Sequence, residues 1–291
     1  MIFYKILIKG VGHIKTILKI FLLTLACVVC ATNYKPITPS SDHKHDKWNT
    51  QPKDIIKQFR AYTVSFDGKD DSDNDGDEEE NDKLGLPEWV AYQINRIDQP
   101  LTKSPKRPYP WIADKKLVAN NILPKDNTYK HSGLNRGHMC MKHIAWRLGR
   151  NADWNTHTTL NACPQLYRFN AGIWLDLEKL TQKWADKYGK VWVICGPVIY
   201  RDKKIKYIGD PGEKRIPIPH AFFKVVIRED RGSLKVLAFL YPHKAIARPY
   251  RHANHLVSVD KIEEVTGLDF LTSLPDDTES KLEKQVPVKV W

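Results

Sequence analysis

A chain of 291 residues with 42% hydrophobic side chains, nine Trp and twelve Tyr is long enough for one large core or two modest ones, which excludes an overall disordered protein. Its net charge of +12 hides an asymmetry: residues 67–83 hold ten acids against Lys69 and Lys83, a local −8, so the remainder carries +20. That surplus is an electrostatic footprint for a polyanion, nucleic acid ahead of anionic membrane or polysaccharide, with a merely soluble basic protein as the plain alternative.

The N-terminus reads as a targeting segment. Lys5, Lys9, Lys15 and Lys19 precede the apolar run Ile20 to Ala31, which is shorter than the roughly 20 residues a membrane span needs. Val29 and Ala31 suit cleavage after Ala31, so residues 1–31 are expected to be a cleaved secretory signal and the protein secreted or periplasmic, with no stable membrane partner afterwards. A lipoprotein attached through Cys27 and an uncleaved anchor are the weaker readings. Residues 32–86 read as a polar linker that contains the acidic run 67–83, and 87–291 as the folded domain. Within the run, Asp71, Asp73, Asp75 and Asp77 alternate around Gly76, with Asp82 further on, as in a calcium loop. A solvated acidic linker is the preferred reading and a Ca2+ loop over Asp71–Asp82 the alternative.

Pro87 to Ile94 is a short helix or strand, and 99–133 mostly loop. Ile173, Leu177, Leu180 and Trp184 recur at helical spacing, so 171–188 reads as a helix that stops at Gly189, with Asn170 placed as its N-cap. Strands follow at Val191–Ile194, Ala221–Ile227 and Leu234–Tyr241. Two helices close the chain, with capping boxes at Asp260/Glu263 and Asp276/Glu279. Cys140, Cys163 and Cys195 are an odd set beside Cys27 and Cys30, consistent with one disulfide of unassigned pairing plus a free thiol.

The chemistry concentrates in Leu134-Asn135-Arg136-Gly137-His138 and in Asn170 to Glu178. His138 can take a proton, Arg136 can hold phosphate oxygens, and Asn170 can offer a hard metal ion a neutral oxygen. Glu178 lies eight residues beyond Asn170, about 12 Å along a continuous helix, so Asn170 direct and Glu178 through a water is the sensible division of one ion. Each residue alone has a plain structural explanation: His138 a hydrogen-bonded histidine, Arg136 an ion-pair partner, Gly137 a turn, Asn170 a cap. A zinc site from His138, Cys140, His143 and Cys163 is a rival, although the spacing follows no standard finger.

In combination the motifs resemble the DNA/RNA non-specific endonuclease family. The resemblance rests on Arg136-Gly137-His138, Leu160-Asn161-Ala162-Cys163-Pro164-Gln165, Asn170 to Glu178, Trp192 to Pro197, Pro219 to Val225, and the segments 258–263 and 266–270, and runs from about Pro87 to the end. It implies an α+β domain: a central antiparallel sheet flanked by helices, with a ββα-metal motif carrying the site. It implies Mg2+, with Mn2+ as a possible substitute, and nucleic acid as substrate. It further implies His138 as general base, Asn170 as direct metal ligand, Glu178 as ligand through water, Arg136 on the phosphate, Asn161 in the network around the histidine, and Arg107 as an upstream phosphate arginine. Two positions depart from the family pattern: Asn135 stands where aspartate is usual, and Gln182 where an arginine is, so that Lys179 or Lys183 would have to replace the latter. A non-catalytic, exported nucleic-acid-binding protein of the same fold is the other functional reading, and oligomeric state is left open.

Overall fold

Val191, Val193 and Cys195 alternate with Trp192 and Ile194, and both sets are buried. A strand apolar on both faces has to lie inside a sheet covered on both sides. The protein, described from a computed structural model covering residues 44–48, 55–66, 84–99, 101–103 and 111–291, places it there. The strands β1 (Ile55–Gln58), β2 (Thr63–Phe66), β3 (Pro87–Asn95), β6 (Lys190–Val198), β9 (Ala221–Asp230), β10 (Ser233–Pro242) and β11 (Leu256–Val257) form one sheet in the order β1-β2-β3-β6-β9-β10-β11. Every pairing in it is antiparallel. Two further pairs stand apart: β4 (Asn135–His138) with β5 (Ala162–Gln165), and β7 (Tyr207–Ile208) with β8 (Ile216–Pro217).

The short helices α1 (Lys115–Ala119), α2 (Lys142–Trp146), α3 (Arg150–Asn155) and α4 (Tyr167–Phe169) precede the long α5 (Leu175–Tyr188), and α6 (Val259–Thr266) and α7 (Asp276–Glu283) close the chain. One sheet face packs Tyr92, Val193, Phe222 and Phe239 with Trp174 and with Leu177 and Trp184 of α5. The other packs Trp89, Trp192, Phe223 and Ile227 with Val259 and Ile262 of α6 and with Phe270. Leu177 and Trp184 are buried as the helical spacing requires, and Gly189, at φ 92°, ends α5 where predicted. No helix among the described residues is long and apolar enough to cross a membrane.

Several expectations need correction. Residues 44–66 are not all linker. Trp48 packs edge-on to Trp192, His45 bonds the backbone of Arg60 and Gln93, and β1 and β2 extend the sheet. Their alternation is only four residues long, and its partner β3 lies beyond the acidic run, so local pattern alone undersold it. Pro87–Ile94 is a strand. In α6 the N-cap is Ser258, whose hydroxyl accepts from the Lys261 N–H at 3.1 Å; Glu263 instead accepts from the Phe270 N–H at 2.8 Å, so Asp260 and Glu263 form no capping box. Likewise, α7 starts after Pro275 with no side-chain cap. Cys140, Cys163 and Cys195 are all free thiols, each fully buried, and burial pushes all three up, Cys195 to about 12. The single disulfide that the odd set allowed is not formed among them. The signal segment 1–31, the acidic run with its candidate calcium loop, and Arg107 lie outside the described residues.

Candidate active site

The β4–β5 pair brings Arg136 and His138 to one place, with Arg136 opposite Pro164 and His138 opposite Ala162. Between them Gly137 allows close approach: a Cβ there would overlap the side-chain amide of Gln165, which is fully buried. Gly137→Ala is therefore expected to force Gln165 or β4 aside and cost about 2 kcal/mol, read as a lower unfolding midpoint in urea. An unchanged midpoint would show that Gln165 moves freely.

His138 is half-buried, and its ring lies 5.0 Å from Trp111 and 5.2 Å from His157, edge-on to the latter at 87°. The guanidinium of Arg136 sits 5.7 Å from the Trp111 ring and 5.4 Å from Tyr129. Aromatic walls thus flank both groups. Asn161 is buried with its amide committed to backbone. Its Oδ1 accepts from the Cys140 N–H at 2.8 Å, and Nδ2 donates to Cys140 O at 2.9 Å and Thr156 O at 3.0 Å. It clamps the chain that leaves His138 and has no donor left over.

The segment carrying Asn170 is not the start of a helix. Helical geometry begins at Tyr167, and residues Asn170–Trp174 form a π turn in which Gly172 departs to φ −105°, ψ −119°. Asn170 is itself in the right-handed helical region, at the C-terminal end of α4, and is the N-cap of no helix, so the N-cap explanation fails. π turns concentrate at functional sites because they re-aim a side chain. The Asn170 side chain is half-buried and makes no hydrogen bond among the described residues. The interruption also means that Asn170 and Glu178 are not separated as on a straight helix.

Trp174 fastens this helix to the β4 strand: its indole N–H donates to His138 O at 3.3 Å. Glu178 follows one turn later and is 4% exposed. Lys224, 0% exposed, approaches Glu178 Oε1 to 3.9 Å and lies 3.9 Å from the centre of the Trp174 ring. Burial raises the Glu178 carboxyl to about 7, opposed by Lys224 and by a hydrogen bond with Trp174. Glu178 Oε1 itself has no hydrogen-bond donor. The cation beside Glu178 thus comes from β9. Gln182, at the family's arginine position, bonds His143 at 2.9 Å, while Lys179 and Lys183 are exposed. Asn135 is half-buried at the β4 end opposite Gln165.

His157, Trp174 and Lys224 carried no site assignment in the sequence. Lys224 had a readable signal, a lone charge inside the apolar strand 221–227; His157 had none. The zinc set does not assemble. His143 is engaged with Gln182, and Cys140 Sγ lies 3.9 Å from Ala61 O. Among the described residues only carboxylates gather in sets of three or more potential ligands.

A two-stranded pair carrying a histidine, followed by a helical segment carrying an amide and a carboxylate, beside a large antiparallel sheet, has the arrangement of a ββα-metal nuclease fold. Residues 58–277 match the model of the DNA/RNA non-specific endonuclease family, and the chain belongs to that family. The match begins well before Pro87, in keeping with β2 and β3 being one sheet.

Among relatives, the chain is 32% identical over 214 residues to nuclease 1, mitochondrial, of Schizosaccharomyces pombe, covering 69% of this chain and 65% of that protein. It is 30% identical over 214 residues to the nuclease of Serratia marcescens, covering 70% and 76%. The mitochondrial nuclease of Saccharomyces cerevisiae shares 27% over 221 residues, with 66% of its length covered, so the chain spans about two thirds of both yeast proteins. A chain in the crystal structure of the EndoG/EndoGI complex shares the fold, with a TM-score of 0.65 at 20% identity over 78% of this chain and 90% of that one.

Proposed function

We propose that the protein is a Mg2+-dependent endonuclease that hydrolyses DNA and/or RNA phosphodiesters with little sequence preference. The observation that carries this reading is His138, held between Trp111 and His157 and fastened through Trp174 to the helix that bears Glu178. The nuclease names of its relatives support the same chemistry.

His138 accepts the proton of the water that attacks phosphorus, and a neutral imidazole suits that task near neutral pH. Arg136, oriented by Trp111 and Tyr129, holds a nonbridging oxygen. Asn170 would hold the ion directly and Glu178 through an intervening water; the unbonded Asn170 amide and the donor-free Glu178 Oε1 fit that role. When bound, Mg2+, or Mn2+ in its place, supplies positive charge to the nonbridging oxygens and to the leaving 3′ oxygen. Asn161 acts as a positioning residue for the turn after His138. Arg107 provides a second phosphate contact, and residues 1–31 direct export.

The roles assigned to these groups are to phosphate and metal, so affinity should come from phosphates and be sequence-independent. Cleavage of unrelated duplex DNAs, or of unrelated single-stranded RNAs, should be scattered along each, and the rate should fall steeply between about 50 and 200 mM salt. Cleavage confined to one sequence, or indifferent to salt, would contradict this. Salt-sensitive binding without cleavage would favour a non-catalytic nucleic-acid-binding protein.

A further inference from the structure

Leu166, Tyr167 and Arg168 lead from β5 into the helical turn that carries Asn170, and all three are exposed, Tyr167 by 68%. The Asn170 N–H donates to Leu166 O at 2.9 Å, which closes that turn. Tyr167 and Asn170 are therefore neighbours at i and i+3, with Cβ atoms about 5–6 Å apart. Three residues before Tyr167, Pro164 lies opposite Arg136 in the β4–β5 pair. An exposed tyrosine means nothing by itself. This one stands in the chain between the residue facing Arg136 and the amide of Asn170. Its hydroxyl makes no hydrogen bond among the described residues. Its backbone is held in place, because Phe169 is fully buried and stacks on Trp174 and Phe222.

The loop between β10 and β11 is fastened to the same segment at three points. The Leu166 N–H donates to His243 Nε2 at 2.8 Å, a Cβ on Gly172 would come within 3.0 Å of the Tyr250 hydroxyl, and His252 Nε2 meets Asp176 Oδ2 at 3.0 Å. Residues 243–255 contain no acid, and Lys244, Arg248 and Arg251 are exposed. Neither they nor Arg168 forms an ion pair among the described residues, and Arg248 Nε donates to the Tyr250 hydroxyl at 3.5 Å. An open aromatic face among unneutralised cations is the combination that binds single strands: the ring stacks on a base and the cations follow the backbone. A base inside a duplex has both faces covered by its own neighbours and cannot use the ring.

We propose that Tyr167 and the loop 243–251 form a subsite for an unpaired nucleotide beside the phosphate held by Arg136. The Tyr167 ring stacks on the base, Lys244 and Arg248 hold flanking phosphates, and the subsite selects single-stranded DNA or RNA. The proposal rests on nucleic acid being the ligand of the His138 site.

The test is fluorescence anisotropy of the full chain in chelator, with a labelled oligothymidylate, an abasic strand of the same length and a duplex of that length. Tyr167→Ala should weaken oligothymidylate binding by about 5- to 150-fold and change the abasic strand and the duplex by less than about twofold. Tyr167→Phe, which keeps the ring, should restore most of the wild-type affinity. Lys244→Ala with Arg248→Ala should weaken both single strands alike and flatten their salt dependence by about 1.4 in logarithmic slope. No loss in Tyr167→Ala, or an equal loss on the thymidylate and abasic strands, would overturn the proposal. These differences without Mg2+-dependent cleavage in the wild type would support the subsite and remove the nuclease reading instead.

Discussion

Replacing His138 with alanine is expected to slow Mg2+-dependent cleavage by about 10²- to 10⁴-fold, the usual contribution of a positioned general base. Metal-free affinity for DNA should barely change, because Arg136 keeps its supports in Trp111 and Tyr129 and the basic surface is untouched. The substitution also opens space beside Trp111 and His157, so part of any loss could come from loosened packing. His138→Asn separates the two effects. It keeps a polar side chain near the rings but cannot serve as the base, so its rate should fall as far while its melting temperature falls less. Activity within a few-fold of wild type in either variant would remove His138 from the proton transfer.

The second large effect concerns Lys224. Its ammonium is the cation beside the buried Glu178, at 3.9 Å. Glu178 titrates near 7 rather than near 4.5, so the folded state holds a proton that the unfolded state has already released. The corresponding stability is complete below pH 4.5 and is lost as pH rises through 7, on the order of 3 kcal/mol for a shift of this size. Lys224→Met removes the charge and raises the cost of ionising Glu178 further.

The variant should therefore lose little at pH 5, where Glu178 is protonated with or without Lys224. At pH 8 the loss should exceed that at pH 5 by up to about 1.4 kcal/mol, the limit set by one pH unit above 7 because the carboxyl can limit the damage by keeping its proton. Urea unfolding in chelator at the two pH values reads this directly. Lys224→Met combined with Glu178→Gln should make the loss independent of pH. A loss equal at pH 5 and 8 in the single variant would mean that Lys224 matters only through packing against Trp174.

What could be read without coordinates was whatever short-range pattern dictates. The two-faced apolar alternation of Trp192 to Cys195 marked a central strand, and the spacing of Ile173, Leu177 and Trp184 marked the helix behind the site. Arg136, His138, Asn170 and Glu178 stood out by type and order. What escaped depends on distant partners. β1 and β2 are strands because β3 pairs with them across the acidic run. Lys224 reaches Glu178 from 46 positions away, and His157 meets His138 only because the chain between β4 and β5 folds back on itself. Asn170 looked like a helix cap because the π turn at Gly172 leaves little trace in composition. Glu263 was misassigned because Ser258, five residues earlier, caps the helix first.

The proposed role of His138 and its neighbours is a metal-dependent phosphodiesterase site. Its most direct test is supercoiled plasmid incubated with the purified protein in Mg2+, with and without excess chelator. Nicked and then linear DNA is expected in Mg2+ and intact supercoils in chelator. Bound but intact plasmid in Mg2+, or equal cleavage in chelator, would contradict it.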